Sequence, residues 1–263
     1  MTVDSSGIAD LVWNHWQAGT LIEAKDAAGL PATRAEAYGA QARLEAKSAL
    51  PRAGWKIAAT SAAGQAHIGV DGPLAGRVLA ETLHQDGAVI SIATNQMRVA
   101  EPEFAFRFAT AIPSRPQRYN VDEVLGLVSD LHLTIELPDS RFCDFANAGG
   151  ACLIADNACA RDLVVGHAVT ADWRRIDLAE HPVHCEVEGR YTREGIGSNV
   201  LGDPREALAW CVNEVSGLGI DIQPGELITT GTSAVPLEIE SGDAVTMDFG
   251  VLGKISVQIA DAD

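Results

Sequence analysis

The chain is short of basic residues: 19 Lys and Arg stand against 36 Asp and Glu, a formal charge of −17 over 263 residues. A surface that acidic repels phosphate backbones and anionic lipid, which argues against nucleic-acid and membrane-surface roles. Cysteine is also sparse. The five present, Cys143, Cys152, Cys159, Cys185 and Cys211, are odd in number and contain no Cys-x-x-Cys pair. They fit buried, reduced thiols better than a disulfide framework or a zinc site. The seven histidines form no His-x-His or His-Glu-x-x-His spacing. No run nears the ~20 apolar residues of a membrane span. The N-terminus carries no basic-then-apolar segment, so the expectation is a soluble, cytoplasmic protein. Apolar material is plentiful: hydrophobic residues are 47% of the chain and charged residues 21%. That supplies a large core and excludes disorder over most of the length.

Residues 1–50 read as a helical arm. Ile8, Leu11, Val12 and Trp16 recur at helical spacing and Gly19 ends the run. Thr33 with Glu36 is a capping-box pattern that opens a second helix running to about Ser48, with Pro51 at the boundary. Residues 51–263 read as a β-rich catalytic body, and together with the arm they form one structural unit. Strands are predicted at 54–57, 88–92, 103–108 and 131–137, hairpin-like strands at 184–193, and further strands over 226–260. A helix is predicted at 121–128 behind Asn120. The sharpest helix start is Asp203-Pro-Arg-Glu206, with Asp as N-cap and Pro in the first turn, running to Gly217.

Glu101-Pro-Glu103 is the clearest local chemical feature. On an extended strand, residues i and i+2 share a face, so two carboxylates converge, and like charges that close call for a cation or a proton. Pro102 cannot donate to a ladder, which predicts an edge or irregular strand. From spacing alone, two solvated acids on an edge strand are the commoner case. Glu136 sits on the polar face of the alternating strand 131–137, shared with His132 and Thr134. Three carboxylates with no Cys or His companion suit a hard ion such as Mg2+ or Mn2+, but spacing alone does not bring Glu136 to the pair. Lys56, flanked by Trp55 and Ile57, is either a functional buried amine or a lysine snorkelling at a strand end. Gly231-Thr-Ser233 and Asp156-Asn157 are weaker motifs, open to loop and turn readings. His67, His84 and His132 read as ordinary histidines.

With these residues in view, the chain resembles the 2-oxopent-4-enoate (2-hydroxypenta-2,4-dienoate) hydratase group of the fumarylacetoacetate hydrolase superfamily, which also contains the 4-oxalocrotonate decarboxylases. The resemblance rests on Gly54-Trp-Lys-Ile57 with Thr60-Ser61, Glu101 to Phe106, Glu136 to Arg141, Ala155-Asp-Asn-Ala158, Val200 to Pro204, Thr230-Gly231, Ser241-Gly-Asp243 and Leu252 to Val257. Each piece is weak alone, but their order is specific and spans nearly the whole chain. The resemblance implies an α+β fold, a mixed β-roll with an N-terminal helical arm, and a homo-oligomer. It implies Mg2+ or Mn2+ held by Glu101, Glu103 and Glu136, with Lys56 as the catalytic amine. Ser61, Asp156 and Thr232 are then substrate-binding, and the substrate is a short 2-oxo or 2-hydroxy-dienoate acid from aromatic meta-cleavage.

Two departures stand out. Asp71-Gly-Pro-Leu-Ala-Gly76 has Leu74 where hydratases of the group carry a second acid, and the loop 231–236 is shorter than usual. The leading expectation is a hydratase. The alternatives are a 4-oxalocrotonate-type decarboxylase on the same site, then an acylpyruvate hydrolase using His15 or His67 as base, then a non-catalytic partner subunit.

Overall fold

The computed structural model describes residues 5–260. In chain order the helices are α1 (Ser5–Ala18), α2 (Arg34–Glu45), α3 (Ala62–His67), α4 (Val121–Leu125), α5 (Gly150–Ala155) and α6 (Pro204–Gly217). The strands are β1 (Arg52–Ala58), β2 (Leu74–Leu79), β3 (Leu83–Gln85), β4 (Ala88–Ser91), β5 (Val99–Phe108), β6 (Val128–Leu137) and β7 (Asp162–Ala168). They continue with β8 (Pro182–Val187), β9 (Tyr191–Ile196), β10 (Leu227–Thr232), β11 (Leu237–Glu238), β12 (Ala244–Asp248) and β13 (Lys254–Ala260). The capping box at α2 forms as its sequence predicts, and the Asp203 side chain caps α6 by accepting from the Arg205 N–H.

Two curled, mixed sheets build the body. The larger runs β2-β1-β10-β5-β6-β7-β3, with β11 also paired to β5; the smaller runs β4-β13-β12-β8-β9. Strand alternation gives β5 two different faces. Phe104 and Phe106 are fully buried and point away from the glutamate face. Phe104 meets Phe249 of the smaller-sheet region edge-on at 5.2 Å, and Phe106 meets Trp173 at 5.8 Å. Burying such rings contributes about 1.5–3 kcal/mol each, so this face fixes which side of β5 turns inward. Glu101 and Glu103, at the other parity, are thereby committed to the opposite face of β5. A one-residue slip would exchange the two sets.

The helical arm packs into the same apolar core: Ile8 and Val12 of α1 and Tyr38 and Leu44 of α2 are buried there. The five cysteines are free thiols, four of them buried. No helix among the described residues is long and apolar enough to cross a membrane.

Two sequence-based expectations are corrected. The helix at 121–128 stops at Leu125, because Val128 already opens β6 opposite Phe108. The strand holding Pro102 is not an edge. β5 lies between β6 and β10. Pro102 is tolerated because β10 breaks register beside it, between the Thr229↔Ala105 and Thr232↔Glu103 pairs, and only its carbonyl is used, accepting from the Ser233 N–H at 2.8 Å.

Candidate active site

Register brings the acids together. In the β5–β6 ladder Glu101 lies directly opposite Glu136, and Glu103 opposite Thr134. Cross-strand partners and i+2 neighbours on one face are then all within reach. Glu101, Glu103 and Glu136 each offer a carboxylate oxygen, and these oxygens lie within 4.8 Å of one another. Glu103 and Glu136 are buried and Glu101 is half-buried. Glu103 Oε2 accepts the Gly231 N–H at 3.1 Å. Gly231 has φ +94, and a Cβ there would stand 2.3 Å from Thr60 Oγ1, so only glycine lets this backbone reach the carboxylate. Glu103 Oε1 and Glu136 Oε2 are buried without a hydrogen-bond partner. Buried, unpaired carboxylate oxygens are costly unless a cation or proton meets them.

Lys56 comes from β1 and is 3% exposed. Its Nζ lies 3.0 Å from Glu136 Oε1 and donates to the Ala158 carbonyl at 3.0 Å. Among the described residues these are the ammonium's two partners, which leaves one N–H for a third acceptor. Burial favours the neutral amine, yet Glu136, Glu101 and Glu103 outweigh it and raise the Lys56 pKa above the ordinary lysine value. Glu101 is pushed up to about 7, first by burial and then by the charge of Glu136, with Lys56 opposing. Burial likewise raises Glu103 and Glu136. Three acids facing one amine leave a surplus of negative charge, and an all-oxygen donor set of this kind fits a hard divalent ion.

The remaining residues singled out from the sequence divide. Thr232 stands opposite Glu103, its hydroxyl donating to the Ala234 carbonyl at 2.8 Å. Ser61 is half-buried beyond Lys56 and caps α3, accepting the Gly64 N–H at 3.0 Å. Asp156, the third residue expected to bind substrate, is engaged within the protein. It is fully buried, and both its oxygens are taken: Oδ2 accepts from Ser140 Oγ at 2.7 Å and from the Arg141 N–H at 2.9 Å, and Oδ1 pairs with the Arg141 guanidinium. Arg141 itself stacks on Trp16 of the arm at 4.5 Å. Asp156→Asn is expected to lose about 3–5 kcal/mol of stability, because it strands a buried guanidinium. Denaturant unfolding measures this, and an unchanged midpoint would return Asp156 to a ligand-facing role.

Neither proposed histidine base is paired with a carboxylate among the described residues: His15 bonds Thr20 Oγ1 and His67 packs edge-on against Phe145. His132 shares the glutamate face of β6 but bonds Arg107 and the Gly166 carbonyl. Leu74 is buried opposite Ala58, on the same face as Lys56. Two main-chain groups complete the site: the Gly231 N–H on Glu103, in a glycine motif able to present backbone N–H groups to an anion, and the Ala158 carbonyl on Lys56, for which the Ala155-Asp-Asn-Ala158 motif gave a position but no role.

No protein-family model matches the chain. It is 28% identical over 208 residues to a 2-hydroxyhexa-2,4-dienoate hydratase of Comamonas testosteroni, covering 79% of this chain and 78% of the relative. It is 29% identical over 207 residues to a 4-oxalocrotonate decarboxylase of Pseudomonas sp. (strain CF600), covering 78% and 76%. Among solved structures, the 4-oxalocrotonate decarboxylase of Pseudomonas putida G7, complexed with magnesium and adipate, superposes with a TM-score of 0.86 at 24% identity over 97% of both chains. The chain is thus similar in sequence to 2-hydroxydienoate hydratases and 4-oxalocrotonate decarboxylases, and its fold is that of the Pseudomonas putida G7 decarboxylase.

Proposed function

We propose that the protein is a divalent-metal-dependent hydro-lyase that adds water to a 2-hydroxy-2,4-dienoate through its 2-oxo tautomer. The product is a 4-hydroxy-2-oxo acid, in aromatic meta-cleavage catabolism by a cytoplasmic homo-oligomer. The observation that carries the reading is the convergence of three carboxylates on one point, with a buried lysine ion-paired to one of them. Glu101, Glu103 and Glu136 would hold Mg2+ or Mn2+, and the two orphaned oxygens supply the fit. The magnesium in the Pseudomonas putida G7 decarboxylase, which shares the fold, supports the same assignment. When bound, such an ion supplies Lewis acidity toward the substrate's carboxylate and C2 oxygen.

The chain's own residues do the rest. Lys56 enters as an ammonium, since its surrounding acids hold its proton. Its remaining N–H can stabilise negative charge as the dienol ketonises and as water adds at C4 of the resulting enone, in a pocket where such a charge-assisted bond counts for more than in water. In this reading Thr232 and Ser61 would turn their hydroxyls to the substrate's carboxylate end.

The second reading is decarboxylation of a 4-oxalocrotonate-like diacid. Leu74 favours it: an apolar side chain occupies the Lys56 face where hydratases of the group carry an acid. Ultraviolet decay of 2-hydroxypenta-2,4-dienoate and of 4-oxalocrotonate, each with Mg2+, separates the two. The expected result is loss of the dienoate with formation of the 4-hydroxy-2-oxo acid. Consumption of the diacid alone, with CO2 released, assigns the decarboxylase; ion binding with turnover of neither assigns a non-catalytic partner.

A further inference from the structure

The segment that meets Lys56 has an unusual backbone. Asn157, Ala158 and Cys159 have φ of +55, +51 and +60, three left-handed residues in succession, and none is glycine. Left-handed conformation crowds Cβ against the following carbonyl, and Ala and Cys have no local compensation for it. Such backbone persists only where its surroundings impose it.

The imposing contacts are explicit. The Asn157 side-chain amide docks on the main chain of Arg77 in β2: Nδ2 donates to the Arg77 carbonyl at 2.7 Å and Oδ1 accepts the Arg77 N–H at 2.7 Å. β2 ends the larger sheet, so one side chain here serves in place of a neighbouring strand. β2 admits the segment because residue 76 is glycine; a Cβ there would lie 2.3 Å from the Asn157 carbonyl oxygen. On the other flank, Cys159 O accepts the Asp139 N–H at 2.9 Å, and Ala160 O accepts from Arg141 at 3.0 Å. Held at both ends, the left-handed turn aims the Ala158 carbonyl at Lys56, 3.0 Å from its Nζ.

We infer that Asn157 is a positioning residue for Lys56: its two-point amide clamp on Arg77 fixes the Ala158 carbonyl, which with Glu136 sets where the ammonium points its free N–H. This rests on the reading of Lys56 as the catalytic amine. The strain follows from it, since a relaxed turn would carry the carbonyl away from Nζ.

Two variants test the clamp. Asn157→Asp keeps the size and the tolerance for the left-handed region but sets an oxygen against the Arg77 carbonyl. Asn157→Gly removes the clamp while making the turn conformation easier, so it remains informative should the aspartate variant fail to fold. Turnover with saturating Mg2+ is expected to fall 10- to 100-fold in both, with KM and the Mg2+ dissociation constant within about twofold of the parent. The second readout is the side-chain 1H–15N signal of the Lys56 ammonium, assigned by its absence in Lys56→Met. In the parent its protons are expected to exchange slowly, and in the variants at least tenfold faster. A lower melting temperature with unchanged kcat and an unchanged Lys56 signal overturns the inference and leaves Asn157 as a strand-edge anchor only. Should Lys56→Met retain the parent's turnover, the reading of Lys56 falls, and the ammonium signal alone then decides whether Asn157 positions the amine.

Discussion

Lys56→Met is expected to lower turnover by about 10²–10⁴, the range that a positioned acid or charge-stabilising donor contributes, while divalent-ion binding persists. Methionine keeps the length and apolar character of the stem that is buried in β1, so the change removes the ammonium and little else. The site predicts where the loss falls. An amine that only bound the ground-state carboxylate would raise KM and spare kcat; one that meets charge developing in the reaction lowers kcat itself. A side effect must be separated out. Lys56 is the partner of Glu136 Oε1, and stripping a buried ion pair of one member costs about 3–5 kcal/mol when the other stays charged. Stability is therefore measured alongside, with saturating Mg2+, where the ion itself would compensate Glu136. Turnover within threefold of the parent would remove Lys56 from the chemistry altogether.

How much of this site the sequence disclosed depends on the range of the interaction concerned. Glu101 and Glu103 on one face follow from strand alternation over three residues, and the α2 and α6 starts follow from caps within four; all are local. Glu136 is not local. Its place opposite Glu101 is a register between β5 and β6, set by which large side chains each strand must bury, Phe104 and Phe106 on one and Leu133 and Ile135 on the other. The resemblance supplied that pairing before the register was known. The partners of Asp156 were illegible for a related reason: an acid in a small-residue stretch looks available, and only the fold shows Arg141 and Ser140 on its oxygens. Pro102 misled because an edge strand is the commoner way to accommodate proline, whereas here the neighbouring strand β10 breaks instead. The left-handed run at 157–159 was beyond reach, since only the Asn of Asn-Ala-Cys readily tolerates that region and tertiary contacts impose it on the other two.

The acids at the centre of the site make stability depend on pH in a direction opposite to that of ordinary ion-paired carboxylates. In protein stripped of divalent ions, Glu101 titrates at about 7 against an ordinary 4.5. Between those values the native state holds more protons than the unfolded chain, so the unfolding free energy falls as pH rises. The stabilising proton is fully bound in the folded protein at pH 4.5 and is lost as pH climbs through about 7. Half-buried Glu101 is partly screened by solvent, which holds its share to roughly 2 kcal/mol. A bound divalent ion should replace that proton. Adding Mg2+ near pH 6 is then expected to release protons into a weakly buffered solution, and at a hundred times its dissociation constant to stabilise the fold by about 2.7 kcal/mol, or roughly 5–10 °C in melting temperature. The decline with pH should flatten or reverse once the ion is present. Glu103→Gln is expected to abolish the ion-induced shift, because it removes a charge and an oxygen from the centre of the cluster. Melting temperatures at pH 5 and pH 8, with and without Mg2+, for parent and variant decide it. A parent that melts higher at pH 8 than at pH 5 without the ion and gains nothing from Mg2+, or a Glu103→Gln variant that keeps the gain, would mean these three carboxylates are not the cation's ligands.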